Sequence, residues 1–371
     1  MNTKEQEGFL DYFEDLEDPR IDRKKLYPVD EILLLTLAAV ICGSEGWLDI
    51  EAFGREKLEY LRQFLPFENG TPSDDTLRRF YRTVDPKGFQ DRFVQWAQSL
   101  NELDKKLISI DGKVSRHTFD GDQNPLHMVT AFVSEARLIL SQTKVSDKSN
   151  EITAIPELLA LVDLAGSIVT IDAMGCQRAI AEQIQQAKAD YVLSLKGNQS
   201  TLHEDVKLLF QDKDLIDYLD KDAVYVETEA GHGRIETRQC TVIKMPSELK
   251  QSHNWPGLQT VVEIRSTRDL NDKVEHENRY YISSLEGTGR DMLHCIRSHW
   301  AIENSLHYVL DIAFRDDDSR IRKGNAPMNM GIIKHAALNM LRQNQRKRES
   351  IKALRKIAGW NNDRLSQILM R

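Results

Sequence analysis

Apolar residues along this chain change their spacing twice. Up to about residue 100 they recur at helical intervals. Pro28-Val29-Asp30 opens an almost wholly apolar run, Ile32 to Cys42, that stops at Gly43. Such a run predicts a helix buried on all sides. At about eleven residues it falls well short of the roughly 20 that a membrane span needs. Asp49 to Phe64 is amphipathic, and Gly70-Thr71-Pro72-Ser73 is a turn whose Ser73 or Asp74 can cap the next helix. That helix, DDTLRRFYRTV, offers Leu77 and Phe80 for packing and brings Arg78, Arg79 and Arg82 near one another. A short arginine-rich helix after a turn can read DNA, or can be an ordinary solvated face. Phe89 to Leu100 closes an all-α N-terminal unit, residues 1–104.

From Lys105 the spacing becomes that of strands. LISID (107–111) is an apolar strand ending in a carboxylate. LHMVTAFVSE (126–135) and RLILSQTKV (137–145) form a hairpin, EITAIPELLALVD (151–163) is a helix, and SIVTIDA (167–173) is a second apolar strand ending in a carboxylate. A helix over Gln177 to Lys188 and a strand over DYVLSLK (190–196) follow. Three strands in a meander, then strands reached through helices, predict a ribonuclease H-like α/β core. AVYVETE, ETRQCTVIKM, QTVVEIRST and ENRYYISSL then read as a β-rich insertion, about residues 222–286. Helical spacing returns from Arg290 to Phe314 and continues in basic helices, about 320–371, so 105–371 is expected to be one catalytic domain.

Composition changes this picture little. The hydrophobic and charged shares, 40% and 29%, are those of a globular protein. Cys42, Cys176, Cys240 and Cys295 form no CxxC pair, which disfavours a zinc ribbon and suits a reducing compartment. The acidic N-terminus has no apolar signal segment, so a cytoplasmic protein is expected. Charge is more informative. The net charge is −8, yet Arg320 to Lys356 holds eleven Lys/Arg and one acid, Glu349, leaving −18 for the rest. An acidic centre beside a basic tail suits a DNA-handling protein, although a solvated basic helix gives the same pattern.

The candidate chemistry lies in three acids. Asp111 and Asp172 each follow an apolar strand and precede a small residue, Gly112 or Ala173. Strands adjacent in one sheet would bring the two carboxylates together, where they repel unless a cation or a proton intervenes. Hard oxygen ligands favour Mg²⁺ or Mn²⁺ over zinc. Glu303, in the helical stretch HWAIENSLHYVLD, is the best third acid. His299, Glu303 and His307 stand at i, i+4 and i+8 on one helix face, so a His/Glu/His transition-metal site stays open as an alternative.

The segments EILLLTLAAVICGSEGWLDIEAFG (31–54), FENGTPSDDTLRR (67–79), SIDGKVSRH (109–117), DKSNEITAIPELL (147–159), IDAMGCQRAIAEQI (171–184), LKGNQ (195–199), RYYISS (279–284) and RSHWAIENSLHYVLDIAFRDDDSRIRKGNA (297–326) resemble insertion-sequence DDE transposases of the ISAs type, which include the H-repeat-associated proteins. The resemblance spans roughly Phe9 to Arg364. It implies a catalytic triad of Asp111, Asp172 and Glu303 holding two Mg²⁺ or Mn²⁺ ions, cleavage and strand transfer at the ends of a mobile element, and double-stranded DNA as partner. A homodimer or larger assembly is implied because two element ends must be joined, and nucleoid association follows from DNA binding. A domesticated relative that binds DNA without transposing is the alternative. A wider group of such enzymes carries Tyr-x2-Arg-x3-Glu-x6-Lys around the glutamate. Here those flanking positions hold Ile296, His299 and Leu310. Arg297, His299 and His307 are therefore expected to place phosphates, with Lys113, Arg116, Lys196 and Asn198 touching the DNA backbone and Arg78, Arg79 and Arg82 the element ends.

Overall fold

The computed structural model describes residues 8–100, 106–118, 125–145, 151–231, 234–270 and 273–370. The expected boundary at 104/105 and the first four residues of the DKSNEITAIPELL segment lie outside these. The first four helices are α1 (Val29–Ile41), α2 (Trp47–Leu61), α3 (Asp74–Thr83) and α4 (Pro86–Ser99). Gly43, at φ 114°, adopts a backbone that only glycine enters freely and ends the apolar run at α1. The Ser73 side chain accepts the Thr76 N–H, and Asp85 accepts the Lys87 and Gly88 N–H groups ahead of Pro86, so α3 and α4 begin where donors need caps. α1 is buried almost throughout because its neighbours come from both ends of the chain. It packs on α2 and on α12 (Ala326–Gln343), α13 (Ile351–Trp360) and α14 (Asn362–Leu369). One core, from Phe9 to Ile368, joins the N-terminal and C-terminal helices.

The sheet has nine strands in the order β3-β2-β1-β4-β5-β9-β8-β7-β6. β1 (Leu107–Ser115), β2 (Leu126–Val133) and β3 (Leu138–Lys144) form the meander, with Arg137 at φ 54° in the second turn. β4 (Ile168–Ile171) and β5 (Asp190–Leu195) are added in parallel, reached through α5 (Glu151–Ala160) and α6 (Arg178–Gln186). The β-rich stretch then extends the same sheet. After α7 (Ser200–Gln211) and α8 (Lys213–Asp217) come β6 (Val224–Gly231), β7 (Arg234–Lys244), α9 (Ser247–His253), β8 (Thr260–Asp269) and β9 (Val274–Ser283). β9 returns antiparallel to β5, pairing Val192 with Ser283 and Leu195 with Tyr280. α10 (Gly289–His299), a π-helical turn (Ile302–His307) and α11 (Tyr308–Phe314) complete the chain.

Alternation assigns the sheet's faces. Ile108, Ile110, Val129, Ala131, Val169 and Ile171 join the core beneath α5, α6 and α7. Leu107 belongs to the opposite core with Met292, Leu293 and Ile296 of α10. Asp111 shares that face because it stands at i+4 from Leu107 on the strand. One expectation is corrected here. β1 does not end at Asp111, because Gly112 to Ser115 remain paired with Val129 to Leu126 of β2. The carboxylate therefore rises from the strand's face, whereas Asp172 does stand immediately beyond its strand.

Candidate active site

The site grows from hydroxyls that fasten a helix to the sheet. Ser109 on β1 and Thr170 on β4 are parallel neighbours, and the Thr170 hydroxyl donates to the Ser109 Oγ at 3.1 Å. Ser109 meets the Ser134 hydroxyl at 3.0 Å, and Ser134 donates to the Ser298 carbonyl at 3.1 Å. Thr170 also meets His299 Nδ1 at 3.0 Å. The end of α10 is thus pinned over the two positions that precede Asp111 and Asp172 on their strands. Thr288 and Asp291 fix its start with a reciprocal cap. Burial moves the His299 imidazole below its ordinary value and favours the neutral ring.

Beyond His299 the helix loosens into the π turn that carries Glu303 and His307. Such turns are rare and favour functional sites. His307 Nδ1 stands 3.5 Å from Glu303 Oε2 and 3.6 Å from Asp111 Oδ2. Among the described residues, Asp111, Glu303 and His307 offer ligand atoms that all lie within 4.8 Å of one another. Asp172 lines the same cleft but falls outside that group. Its Oδ1 accepts the backbone N–H groups of Met174 and Gly175 at 3.0 and 3.3 Å. Burial, then a hydrogen bond and the charge of Glu303, hold the Asp111 carboxyl well above the usual carboxylate range, and the Asp172 charge adds to this. The His307 ring and the hydrogen bond to Asp111 hold Glu303 low. The two carboxyls therefore titrate as a pair, with burial favouring the neutral form at Asp111 and the His307 contact favouring the charge at Glu303.

The cleft has a volume of about 530 Å³. Asp111, Asp172, His299 and Glu303 form one side, and the extended sheet forms the other through Asn278, Arg279, Tyr280 and Tyr281. Trp300 lies at its rim, 46% exposed, with the Arg279 guanidinium 4.8 Å from its ring centroid. Sequence reasoning missed this second wall. The RYYISS segment (279–284), quoted above for the resemblance, supplies Arg279, Tyr280 and Tyr281 of that wall.

The remaining predicted site residues scatter. Lys196 lines the cleft and is exposed, and Asn198 donates to the Ala173 carbonyl at 2.7 Å, tying its loop to the one that carries Asp172. Lys113 pairs with Asp311 at 2.7 Å, and Arg116 with Asp317 at 3.5 Å, both outside the cleft lining. Arg297 is drawn away from phosphate duty by Glu227 and Glu229 of β6, at 2.5 and 2.7 Å. Arg78, Arg79 and Arg82 are exposed on α3 while Leu77, Phe80 and Tyr81 are buried; Arg78 and Arg79 pair with Asp74 and Asp75, one turn earlier. The basic C-terminal segment is also divided. Lys334 is buried against Asp316 at 2.7 Å, and Arg355 is buried on the carbonyls of Val40 and Ala313. Arg342 bonds the carbonyls of Arg137 and Ser305. Arg346, Lys347, Arg348, Lys352 and Lys356 are exposed.

An α/β sheet that gathers acids into one cleft offers the oxygen donors that hard divalent cations take. The Transposase DDE domain family matches residues 102–340, and the DDE_Tnp_1-associated family matches residues 10–97. The chain belongs to the DDE transposase family. It is 40% identical to the "Putative transposase YncI" of Escherichia coli O157:H7, over 98% of this chain and 94% of that protein. It is 38% identical to the "H repeat-associated putative transposase YhhI" of Escherichia coli K12, over 98% of each. Among the described residues no helix is long and apolar enough to cross a membrane.

Proposed function

We propose that this chain cuts DNA strands at the ends of an insertion sequence and joins them to target DNA, with Asp111, Asp172 and Glu303 as its acid triad on a ribonuclease H-like core. The observation that carries this reading is the meeting of Asp111 and Glu303, from distant parts of the chain, in a cleft that Asp172 also lines. The donor set fits a divalent cation. Burial first, then the neighbouring Glu303 and Asp172 carboxylates, hold the Asp111 carboxyl well above its usual range, a conflict that a cation relieves. Asp111, Asp172 and Glu303 would hold two Mg²⁺ or Mn²⁺ ions, which when bound supply Lewis-acid stabilisation of the charge that develops on an attacked phosphate.

The chain's own residues supply the rest. His307 orients Glu303 and Asp111 through its Nδ1 edge, and the Thr170 hydroxyl holds His299 beside them. Lys196, exposed on the cleft wall, is placed to neutralise a phosphate. Asn198 positions the Asp172 loop. The exposed arginines of α3 are the element-end readers in this reading, in an N-terminal associated unit of residues 1–104. The exposed basic residues of the α12–α13 turn and α13 bind the DNA backbone. Two copies act together, because two ends are joined.

The test is incubation of the protein with Mg²⁺ and a duplex carrying the inverted repeats that flank its gene. Nicking at the repeat ends, and joining of a pre-cut 3′-OH end to a second duplex, are expected. The placement of Asp172 outside the Asp111–Glu303–His307 group favours a second reading, a relative that binds DNA without transposing. Retained binding with no nicking in either Mg²⁺ or Mn²⁺ would select it.

A further inference from the structure

Behind His307 lies a small, partly open cavity of about 30 Å³, with the paired Asp316 and Lys334 and Lys113 also on its wall. It lies between the meander, the π turn and α12. Its lining includes Thr130, Gln142, His307, Gly331 and His335. Four polar atoms of three of these side chains are buried without a hydrogen-bond partner among the described residues: Nε2 of His307, both amide atoms of Gln142, and Nδ1 of His335. The three residues are 6%, 1% and 6% exposed. Polar groups at such depth are costly to leave unpaired, so their gathering round one cavity calls for a ligand. The volume suits one or two waters, which need two to four polar partners each.

The sheet brings Gln142 there by a specific device. Asp111 pairs with Thr130, and Thr130 with Gln142, so the three stand in one row across β1, β2 and β3. Simple alternation from Leu140, which joins the core on the opposite face, would turn Gln142 away from this row. The register between β2 and β3 shifts between Ala131 and Phe132, leaving Leu140 as an extra residue. This bulge reverses the phase and aims Gln142 at α12. A Cβ built on Gly331 would stand 3.9 Å from Gln142 Nε2, which places the amide against the glycine-opened face of that helix.

We propose that this cavity is a buried water site, and that Gln142 and His335 are positioning residues that act through it. The water bonds His307 Nε2, and so keeps the Nδ1 edge of the ring turned toward Asp111 and Glu303. His335 is kept neutral by burial, which leaves its ring able to accept as well as donate. The inference about the cavity stands without the catalytic reading, and only its consequence for metal affinity rests on it.

The test combines a high-resolution crystal structure with nitrogen-15 NMR of the His307 ring in the wild type, Gln142→Leu and Gly331→Ala. The crystal is expected to show one or two ordered waters within hydrogen-bond reach of His307 Nε2, Gln142 and His335. Gln142→Leu removes two bonding atoms at nearly constant volume. Gly331→Ala encroaches on the cavity at a position with ordinary van der Waals room, and favours the helix, so it should fold even if Gln142→Leu does not. Both variants are expected to shift the His307 nitrogen resonances and, because His307 orients Asp111 and Glu303 without itself binding metal in the proposed site, to lower Mn²⁺ affinity measurably. A dry cavity, or His307 resonances unchanged in both variants, would overturn the proposal. Shifted resonances with unchanged Mn²⁺ affinity would support the water site and overturn the positioning role that His307 and the residues behind it are given.

Discussion

Asp111, Glu303 and Asp316 show how burial and neighbours give one kind of side chain different tasks. Burial and the nearby Glu303 disfavour charge on Asp111, whereas the His307 ring and the hydrogen bond to Asp111 favour it on the more exposed Glu303. Asp111→Asn, Asp172→Asn and Glu303→Gln should each reduce strand cleavage by about 10²–10³-fold or more, the loss expected where developing charge is no longer stabilised, with DNA binding retained in a gel-shift assay. A variant that cuts at the wild-type rate leaves the triad. Asp316 has a structural task. Burial alone would raise its carboxyl, but the Lys334 ammonium and the Ser115 hydroxyl bring it down to about 2. Lys334→Met should therefore lower unfolding stability by about 3–5 kcal/mol in a denaturant titration, because it strands a buried charge. Adding Asp316→Asn should recover most of that loss. A single variant with unchanged stability would show the pair to be dispensable.

At the scale of elements, α12 couples the helical core to the sheet, and its titration should be visible in stability. Burial pushes the His335 imidazole from 6.5 down to about 3, and Asp316 beside it is lowered from 3.8 to about 2. In both cases the unfolded chain takes up the proton at a higher pH than the folded one does. His335 therefore contributes stability that is full above about pH 6.5 and is lost as pH falls, Asp316 adds a loss below pH 4, and Asp111, held high, contributes with the opposite sign. The urea midpoint of the wild type, taken relative to His335→Phe at each pH, should therefore decline from pH 7 to pH 4. The basic helices divide by burial. Changing Lys347, Arg348, Lys352 and Lys356 to alanine should leave the fold intact and reduce the slope of log affinity against log salt by roughly 0.9 for each phosphate no longer neutralised. Arg355→Ala should instead cost stability, about 2–3 kcal/mol, through its bonds to the Val40 and Ala313 carbonyls. Charge counting along the sequence could not separate the two groups. Arg342, Arg355 and Lys334 differ from their exposed neighbours in the distant groups beside them, the carbonyls of Arg137 and Ser305, of Val40 and Ala313, and the Asp316 carboxylate.

Across the whole molecule, the features legible in sequence were those carried by local pattern. The apolar run of α1, the Ser73 cap, the meander and the two strands that lead to Asp111 and Asp172 follow from spacing, and their placement needed only right-handed crossovers. The hidden features came from long-range pairing. Nothing near Glu275 or Tyr281 announces that β9 will join β5 and wall the cleft. No local signal marks the bulge that turns Gln142 inward, or the π turn that sets Glu303 and His307 on the carboxylates. The continuous sheet makes a prediction at this scale. Deleting residues 222–286 should uncover the edge of β5 from Val192 to Leu195 and remove one wall of the cleft. The product should aggregate by light scattering, where an independent insertion would leave a soluble core.

Anomalous scattering from Mn²⁺ in a crystal of the full chain, grown with a duplex bearing its flanking repeats, tests the central claim most directly. Metal peaks at about 2.0–2.2 Å from carboxylate oxygens of Asp111, Asp172 and Glu303 are predicted, beside the phosphate at the repeat end. Manganese held by Asp111, Glu303 and His307 with Asp172 still bound to its own loop, or no manganese in the cleft, would contradict it.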